Sequence, residues 1–400
     1  MSKTVKRCGS ANHFIRKFGA TALAVVGIVG CCMQGVRAGD QPLLKEIVDF
    51  TGEVFSYQYR IPGLLIGVVR NGEVYVGGFG ERADGAHQAP GGDTLLRIGS
   101  ITKAFTGDVL AHLAADKKVR LTQSLVESWP ELGREALADV KTIRLVDLAT
   151  HAGGLPREVP HAPGPDNDPY APITLQAFTD WLPKNPLLFK PGKSVLYSNF
   201  GFDLLAHGLS RATGEPYPVL LRRYITEPLE MPDTVFEPTH AQRQRVMQGH
   251  GFDGKALPVV PTGSVIVGSG GLYSTPNDLL KWMRWHLDHY HKTDAKAQRI
   301  DDSGLYLHRK GLETVYGMDE SGYMDAMGLG WVAMFPKDDR PLILQKAGAL
   351  EGIFSYIAFA PTRGVAVFIA FNKFDFTAAL AQAEVANSLI ASLAPPRAGK

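Results

Sequence analysis

The sequence predicts an α/β fold of the α+β kind: an antiparallel sheet flanked by N- and C-terminal helices, plus a mostly helical subdomain. Three observations predict it. Two apolar runs, residues 64–70 and 73–79, are joined by Asn71-Gly72, the dipeptide that suits the two positive-φ positions of a tight hairpin turn. Four more strand-like runs, 330–335, 342–346, 354–360 and 365–371, crowd the C-terminal quarter, the last two separated by a Pro361-Thr362-Arg363-Gly364 turn. Helical spacing over 43–59 and 377–393 brackets these runs, so the two terminal helices are expected to pack on one face of the sheet.

The stretch between, about 121–299, is rich in Pro and Gly with scattered helical patterns at 200–212 and 277–289, as a helical subdomain with long surface loops requires. The expected organisation is a leader at 1–38 and one catalytic domain at 39–400. Its sheet part covers about 42–100 and 328–393 and its helical part about 101–327. A chain of 400 residues with 45% hydrophobic content buries a large core, which excludes a disordered protein.

The formal charge of +2 hides an asymmetry, because residues 1–38 hold six basic residues and no acid. The remainder carries 36 basic against 40 acidic residues and offers no electrostatic case for nucleic acid as a partner. The leader itself has the form of an export signal: a basic start, an apolar run from 18 to 30, and a small-residue cleavage site at Val36-Arg37-Ala38, which predicts a periplasmic location. Ile28-Val29-Gly30-Cys31 is a rival processing site that resembles a lipoprotein box, with membrane association through Cys31. Cys8, Cys31 and Cys32 all lie in this leader, so the body has no cysteine nucleophile and no thiolate metal site.

The chemistry is concentrated in three stretches. An extended apolar segment, 95–98, runs through Gly99-Ser100-Ile101-Thr102-Lys103 into a helical pattern at 102–115. Three residues apart at a helix start, Ser100 and Lys103 share a face, so the amine can reach the hydroxyl and activate it as a nucleophile. A Ser-x-x-Lys arises by chance about once or twice in a chain of this length, so it needs company. Tyr197-Ser198-Asn199, after a Pro191-Gly192 turn and before a helix, is expected to project a phenol and an amide together from a loop on the helical side. Lys346-Ala347-Gly348 ends a strand, where the glycine is expected to let a substrate approach the edge. A tyrosine beside two lysines is a candidate general base, because positive charge favours the phenolate.

Ser100-x-x-Lys103, Tyr197-x-Asn199 and Lys346-x-Gly348, in this order, resemble the three motifs of the class C β-lactamase and DD-peptidase superfamily, the serine β-lactamase-like, penicillin-binding proteins. Further matches are Leu148-Ala149-Thr150-His151 with Gly153-Gly154-Leu155-Pro156, the run Gly268 to Thr275, and Gly328-Leu329-Gly330-Trp331. Within the superfamily the chain is most similar to the AmpH-type D-alanyl-D-alanine carboxypeptidase/endopeptidase branch, through Leu155-Pro156-Arg157-Glu158 and residues 198–206. The resemblance spans about 60–375 and implies a β-lactamase/transpeptidase-like fold. It also implies an exported serine hydrolase of β-lactams and D-Ala-D-Ala-type peptides, with no required cofactor. Ser100 would be the nucleophile, with Lys103 and Tyr197 sharing proton transfers. Asn199 would hold the substrate's side-chain amide, Lys346 its carboxylate, and the N–H groups of Ser100 and Ala349 the oxyanion, with Gly348 between. One residue departs from the usual Lys-Thr-Gly: Ala347 lacks the hydroxyl that would bond the carboxylate.

Two other readings share part of the pattern. A β-lactamase-like carboxylesterase uses Ser-x-x-Lys and Tyr but usually lacks the lysine at the third motif. A non-catalytic penicillin-binding protein would keep the fold without turnover, which Ala347 alone suggests. No Gly-x-Ser-x-Gly occurs, which argues against an α/β-hydrolase. His286, His289 and His291 form a separate, weaker candidate, a zinc site at a helix end, although the sequence shows no carboxylate partner and a solvated polar helix end is the more ordinary explanation.

Overall fold

The computed structural model describes residues 43–288, 296–302 and 304–394. The predicted leader with its two processing sites and three cysteines, and His289 and His291, lie outside the described residues. Helix α1 (Leu44–Tyr59) turns Leu44, Ile47, Val48 and Phe55 inward, and β1 (Gly63–Arg70) and β2 (Glu73–Gly80) follow as the expected hairpin. Its turn has φ +48° at Asn71 and +86° at Gly72, the left-handed pair that this dipeptide accommodates. Strand β3 (Leu96–Arg97) leads through a 3₁₀ turn, Gly99–Ile101, into α2 (Thr102–Ala115), a helix buried on nearly every side and so at the centre of the core.

Among several short helices, the elements that follow include α3 (Leu145–Ala149), β4 (Val195–Leu196), α4 (Asn199–Thr213), β5 (Tyr273–Ser274), α5 (Pro276–Asp288), α6 (Lys296–Asp302), β6 (Leu307–His308) and β7 (Val315–Tyr316). The chain then returns to the sheet with β8 (Ala326–Met327), β9 (Val332–Met334), β10 (Ile343–Leu350), β11 (Ile353–Ala360) and β12 (Val365–Phe371), and closes with α7 (Phe376–Leu393).

The main sheet has the order β2-β1-β12-β11-β10-β9-β8-β6, with every neighbouring pair antiparallel. Pairing of β1 with β12, with Ile66 opposite Ile369, joins the N-terminal hairpin to the C-terminal strands. One face takes the terminal helices: the Phe55 ring of α1 lies 6.0 Å from Phe371 of β12, and Gln382 of α7 donates to the Ile369 carbonyl. The other face takes α5, whose Leu280 fills the space a side chain at Gly67 would occupy. This is the layered arrangement the sequence predicts.

Two strands differ from expectation. The run 342–346 extends to Leu350, because β11 pairs with it as far as Leu350 opposite Ile353. Lys346-Ala347-Gly348 therefore lies inside β10 rather than at its end. The run 330–335 shrinks to Val332–Met334, since Gly330 adopts φ +84° and packs its backbone on α2, where a β-carbon would stand 2.6 Å from the Lys103 carbonyl oxygen.

The histidine expectation is corrected. His286 is fully buried, not solvated, and it has carboxylates on both sides. Its Nε2 lies 3.5 Å from Asp108 of α2 and its Nδ1 3.9 Å from Asp301 of α6. One ligand atom each from Asp108, His286 and Asp301 lies within 4.8 Å of the others, so the carboxylate partners that the sequence did not reveal come from two other helices. Both acids already accept indole N–H groups, Asp108 from Trp282 at 2.6 Å and Asp301 from Trp331 at 2.8 Å. Rings of Trp282, Trp285, Trp331 and Phe359 enclose the imidazole. The cluster ties α5 and α6 to the back of α2.

Candidate active site

Ser100 occupies the 3₁₀ turn just before α2 and is half-buried, while Lys103 in the first turn of the helix is fully buried. The Lys103 ammonium donates to Ser100 Oγ at 3.1 Å, to Asn199 Oδ1 at 2.6 Å and to the Ser269 carbonyl at 2.7 Å. Its three protons thus have three acceptors, which is what keeps a buried ammonium in one position. Gly99 has φ +51°, and a β-carbon there would stand 2.7 Å from the Ala349 nitrogen.

Tyr197 follows β4, which pairs in parallel with β7. Ser198 caps α4, its hydroxyl accepting from Gly201 N–H at 2.9 Å, so Asn199 is the first helical residue rather than part of a loop. The Arg157 carbonyl accepts from the N–H groups of Asn199 and Phe200, and Ser198 Oγ donates to the Pro156 carbonyl. These bonds bind the 155–158 stretch to the second motif. The Asn199 amide is gripped at both ends, its oxygen by Lys103 and its nitrogen by the Glu158 carboxylate.

On the sheet side, β9 pairs only with Ile343, Leu344 and Gln345 of β10, so the β9 edge of the strand is free of ladder partners from Lys346 onward. One face of β10 at Gly348 lies against the Ser100 turn. A β-carbon on Gly348 would meet the Ile98 carbonyl oxygen at 2.1 Å and Ser100 N at 3.1 Å. The glycine therefore admits the chain's own backbone, where the sequence suggested a substrate. The N–H-bearing segments at Ser100 and Ala349 lie side by side as a result. Ala347 is half-buried and Ala349 exposed, while Lys346 is buried.

Three cations surround the Tyr197 ring: Lys346 Nζ at 4.7 Å from its centroid, Arg157 at 4.8 Å and Lys103 Nζ at 4.9 Å. Burial pulls the Lys346 ammonium down to about 8, with Tyr197 opposing the fall and Lys103 and Arg157 adding to it. Burial also lowers Lys103 toward neutrality, against the pull of Asp203 and Glu158. His151 stacks on Tyr197. Burial first, then Lys346, Lys103 and Arg157, push its pKa far down.

All the residues singled out from the three motifs, Ser100, Lys103, Tyr197, Asn199, Lys346, Gly348 and Ala349, fall in this one region. His151, Arg157, Glu158, Asp203 and Ser269 stand in the stretches quoted for the resemblance, but no role was read for them. Their partners are distant in the chain, and only an acid inside an apolar run, Asp203 between Phe202 and Leu204, gave a local signal.

The β-lactamase family model matches residues 32–391, nearly the whole chain. The chain belongs to the β-lactamase family. Within that family it is 34% identical to the D-alanyl-D-alanine-carboxypeptidase/endopeptidase AmpH of Escherichia coli, over 87% of this chain and 89% of that protein. It is 25% identical to a β-lactamase of Pseudomonas fluorescens, over 82% of this chain and 94% of the relative. Among solved structures, the β-lactamase/D-alanine carboxypeptidase of Yersinia pestis in complex with citrate superposes with TM-score 0.76 at 36% identity, covering 87% of this chain and 97% of that one. The antiparallel sheet flanked by helices is the β-lactamase/transpeptidase-like fold, and serine enzymes of this family act without a cofactor.

Proposed function

We infer that the protein is a serine hydrolase that opens β-lactam rings and cleaves D-Ala-D-Ala-type peptide amides through an acyl-enzyme on Ser100. The observation that carries this is the 3.1 Å contact between Lys103 Nζ and Ser100 Oγ, set beside an open strand edge that begins at Lys346. The substrate lies along the free edge of β10. Ser100 Oγ bonds to the amide carbonyl carbon as its proton passes to the Lys103–Tyr197 pair, and the oxyanion rests between the N–H groups of Ser100 and Ala349. The C–N bond then breaks and the nitrogen takes the proton. Water gives a proton to Tyr197 as it adds to the acyl carbon, the bond from that carbon to Ser100 Oγ breaks, and the proton passes back to Oγ. Asn199 holds the acyl side-chain amide, and Lys346 attracts the carboxylate beyond the scissile bond.

Peptidoglycan peptides lie outside the cytoplasmic membrane, so the leader at 1–38 serves for export. Among the described residues no helix is long and apolar enough to cross a membrane. Side-by-side hydrolysis of a chromogenic cephalosporin, a D-Ala-D-Ala peptide and a short-chain ester tests the reading. Turnover of the first two supports it, and turnover of the ester alone overturns it in favour of a carboxylesterase.

A further inference from the structure

One fully buried acid beside the site has no part in the scheme above. Asp203 lies four residues after Asn199 in α4, hence on the same helix face, and is 2% exposed. Its Oδ1 accepts from Gly268 N–H at 3.0 Å and Ser269 N–H at 2.9 Å, and its Oδ2 from Ser269 Oγ at 2.8 Å. The carbonyl of that same Ser269 accepts from Lys103 Nζ. One helix face thus controls two of the three acceptors of the ammonium, Asn199 directly and Ser269 through Asp203. No direct ion pair joins Asp203 to Lys103 among the described residues.

We propose that Asp203 is a positioning residue for Lys103: it fixes the Ser269 carbonyl against Nζ and supplies the buried negative charge that sets the pH at which Lys103 can accept the Ser100 proton. The proposal rests on the reading of Lys103 as the group that activates Ser100. Other groups facing Lys103 are Glu158 and Arg157 from the 155–158 stretch, Lys346 from β10, the Tyr197 ring and the imidazole of His151. Asp203 is faced by Lys103, Glu158 and the Tyr217 phenol, which bonds Thr106. Of the two acids near Lys103, Glu158 is only half-buried, so the fully buried Asp203 has the stronger hold. Burial raises its carboxyl toward neutrality while Ser269 and Lys103 pull it down, and the two groups titrate as a pair.

Asp203→Asn separates charge from scaffold. The amide oxygen still accepts from the two backbone N–H groups, and the amide nitrogen donates to Ser269 Oγ, which turns to accept. Losing the negative charge disfavours the ammonium, so free amine persists to lower pH. The acid limb of kcat/KM for a chromogenic cephalosporin should move down by about one pH unit, the low end of what a close opposite charge contributes. Lysine ¹³Cε NMR, with Lys103 assigned through Lys103→Arg, should show the same fall in the Lys103 pKa without reference to turnover. Ser269→Ala, which strips one donor from the carboxylate and weakens its charge, should give a smaller shift in the same direction. An unmoved Lys103 titration in folded Asp203→Asn or Ser269→Ala overturns the proposal. A moved titration in an enzyme that hydrolyses no amide leaves the coupling standing and sinks the functional reading instead.

Discussion

The imidazole of His151 lies against the ring of Tyr197, with centroids 4.5 Å apart and planes 24° from parallel. Nδ1 of His151 accepts the Ser198 N–H at 3.0 Å, so the ring is a neutral base whose proton sits on Nε2. A flat, uncharged ring can stack here where an imidazolium would add a fourth cation around Tyr197. The His151 side chain is therefore expected not to titrate between about pH 5.5 and 8, the range in which an unperturbed imidazole changes charge. Histidine ¹³Cε1 shifts followed against pH check this, and a normal titration would mean that the ring is charged in the working enzyme.

Replacing His151 by Ala leaves the buried Ser198 N–H without an acceptor, at a cost of about 1–3 kcal/mol in stability. It also frees the Tyr197 ring. Urea unfolding reads the first effect, and a fall in kcat with little change in KM reads the second.

Tyr197→Phe keeps the ring, its stack on His151 and the three cations, and removes only the hydroxyl. Both formation and breakdown of the acyl-enzyme should slow by ~100-fold or more, the usual contribution of general base catalysis. Single-turnover kinetics on a chromogenic cephalosporin separates the two steps, and near-normal rates would leave the proton transfers to Lys103 without Tyr197.

Lys346 gives a pH dependence of known sign. Its pKa is depressed to about 8, so the ammonium persists below that value and is lost as pH rises through it. Substrates with a carboxylate should then show a KM that climbs above that pH, while their neutral esters should not. Parallel KM profiles for acid and ester would place the carboxylate elsewhere.

The missing hydroxyl at position 347 predicts weak discrimination between carboxylate substrates and their esters. A hydrogen bond to a charged group is worth about 1.5–3 kcal/mol, or roughly 10- to 150-fold. Ala347→Thr should raise kcat/KM for the acids more than for matched esters, and a β-branched side chain suits this half-buried strand position. Equal effects on both would show that position 347 does not face the carboxylate.

Much of this molecule was legible because its signals are local. Asn71-Gly72 fixes its own turn, and the Ser100–Lys103 contact follows from three residues of helix geometry. What was not legible depends on partners far away in the chain. β10 continues to Leu350 because β11 is there to pair with it, so the third motif sits in mid-strand. His286 was open to reading as solvated because Asp108 and Asp301, which flank it, belong to other helices. The grip of Glu158 on Asn199, and of Asp203 on Ser269, leave no periodic trace in the sequence.

The covalent step is the centre of the account, and the mass of the intact protein measures it directly. Incubation with benzylpenicillin should add one penicilloyl group, located by peptide mapping on Ser100, and Ser100→Ala should add none. An adduct that survives in Ser100→Ala, or one that maps to another residue, would contradict the assignment of Ser100 as the nucleophile.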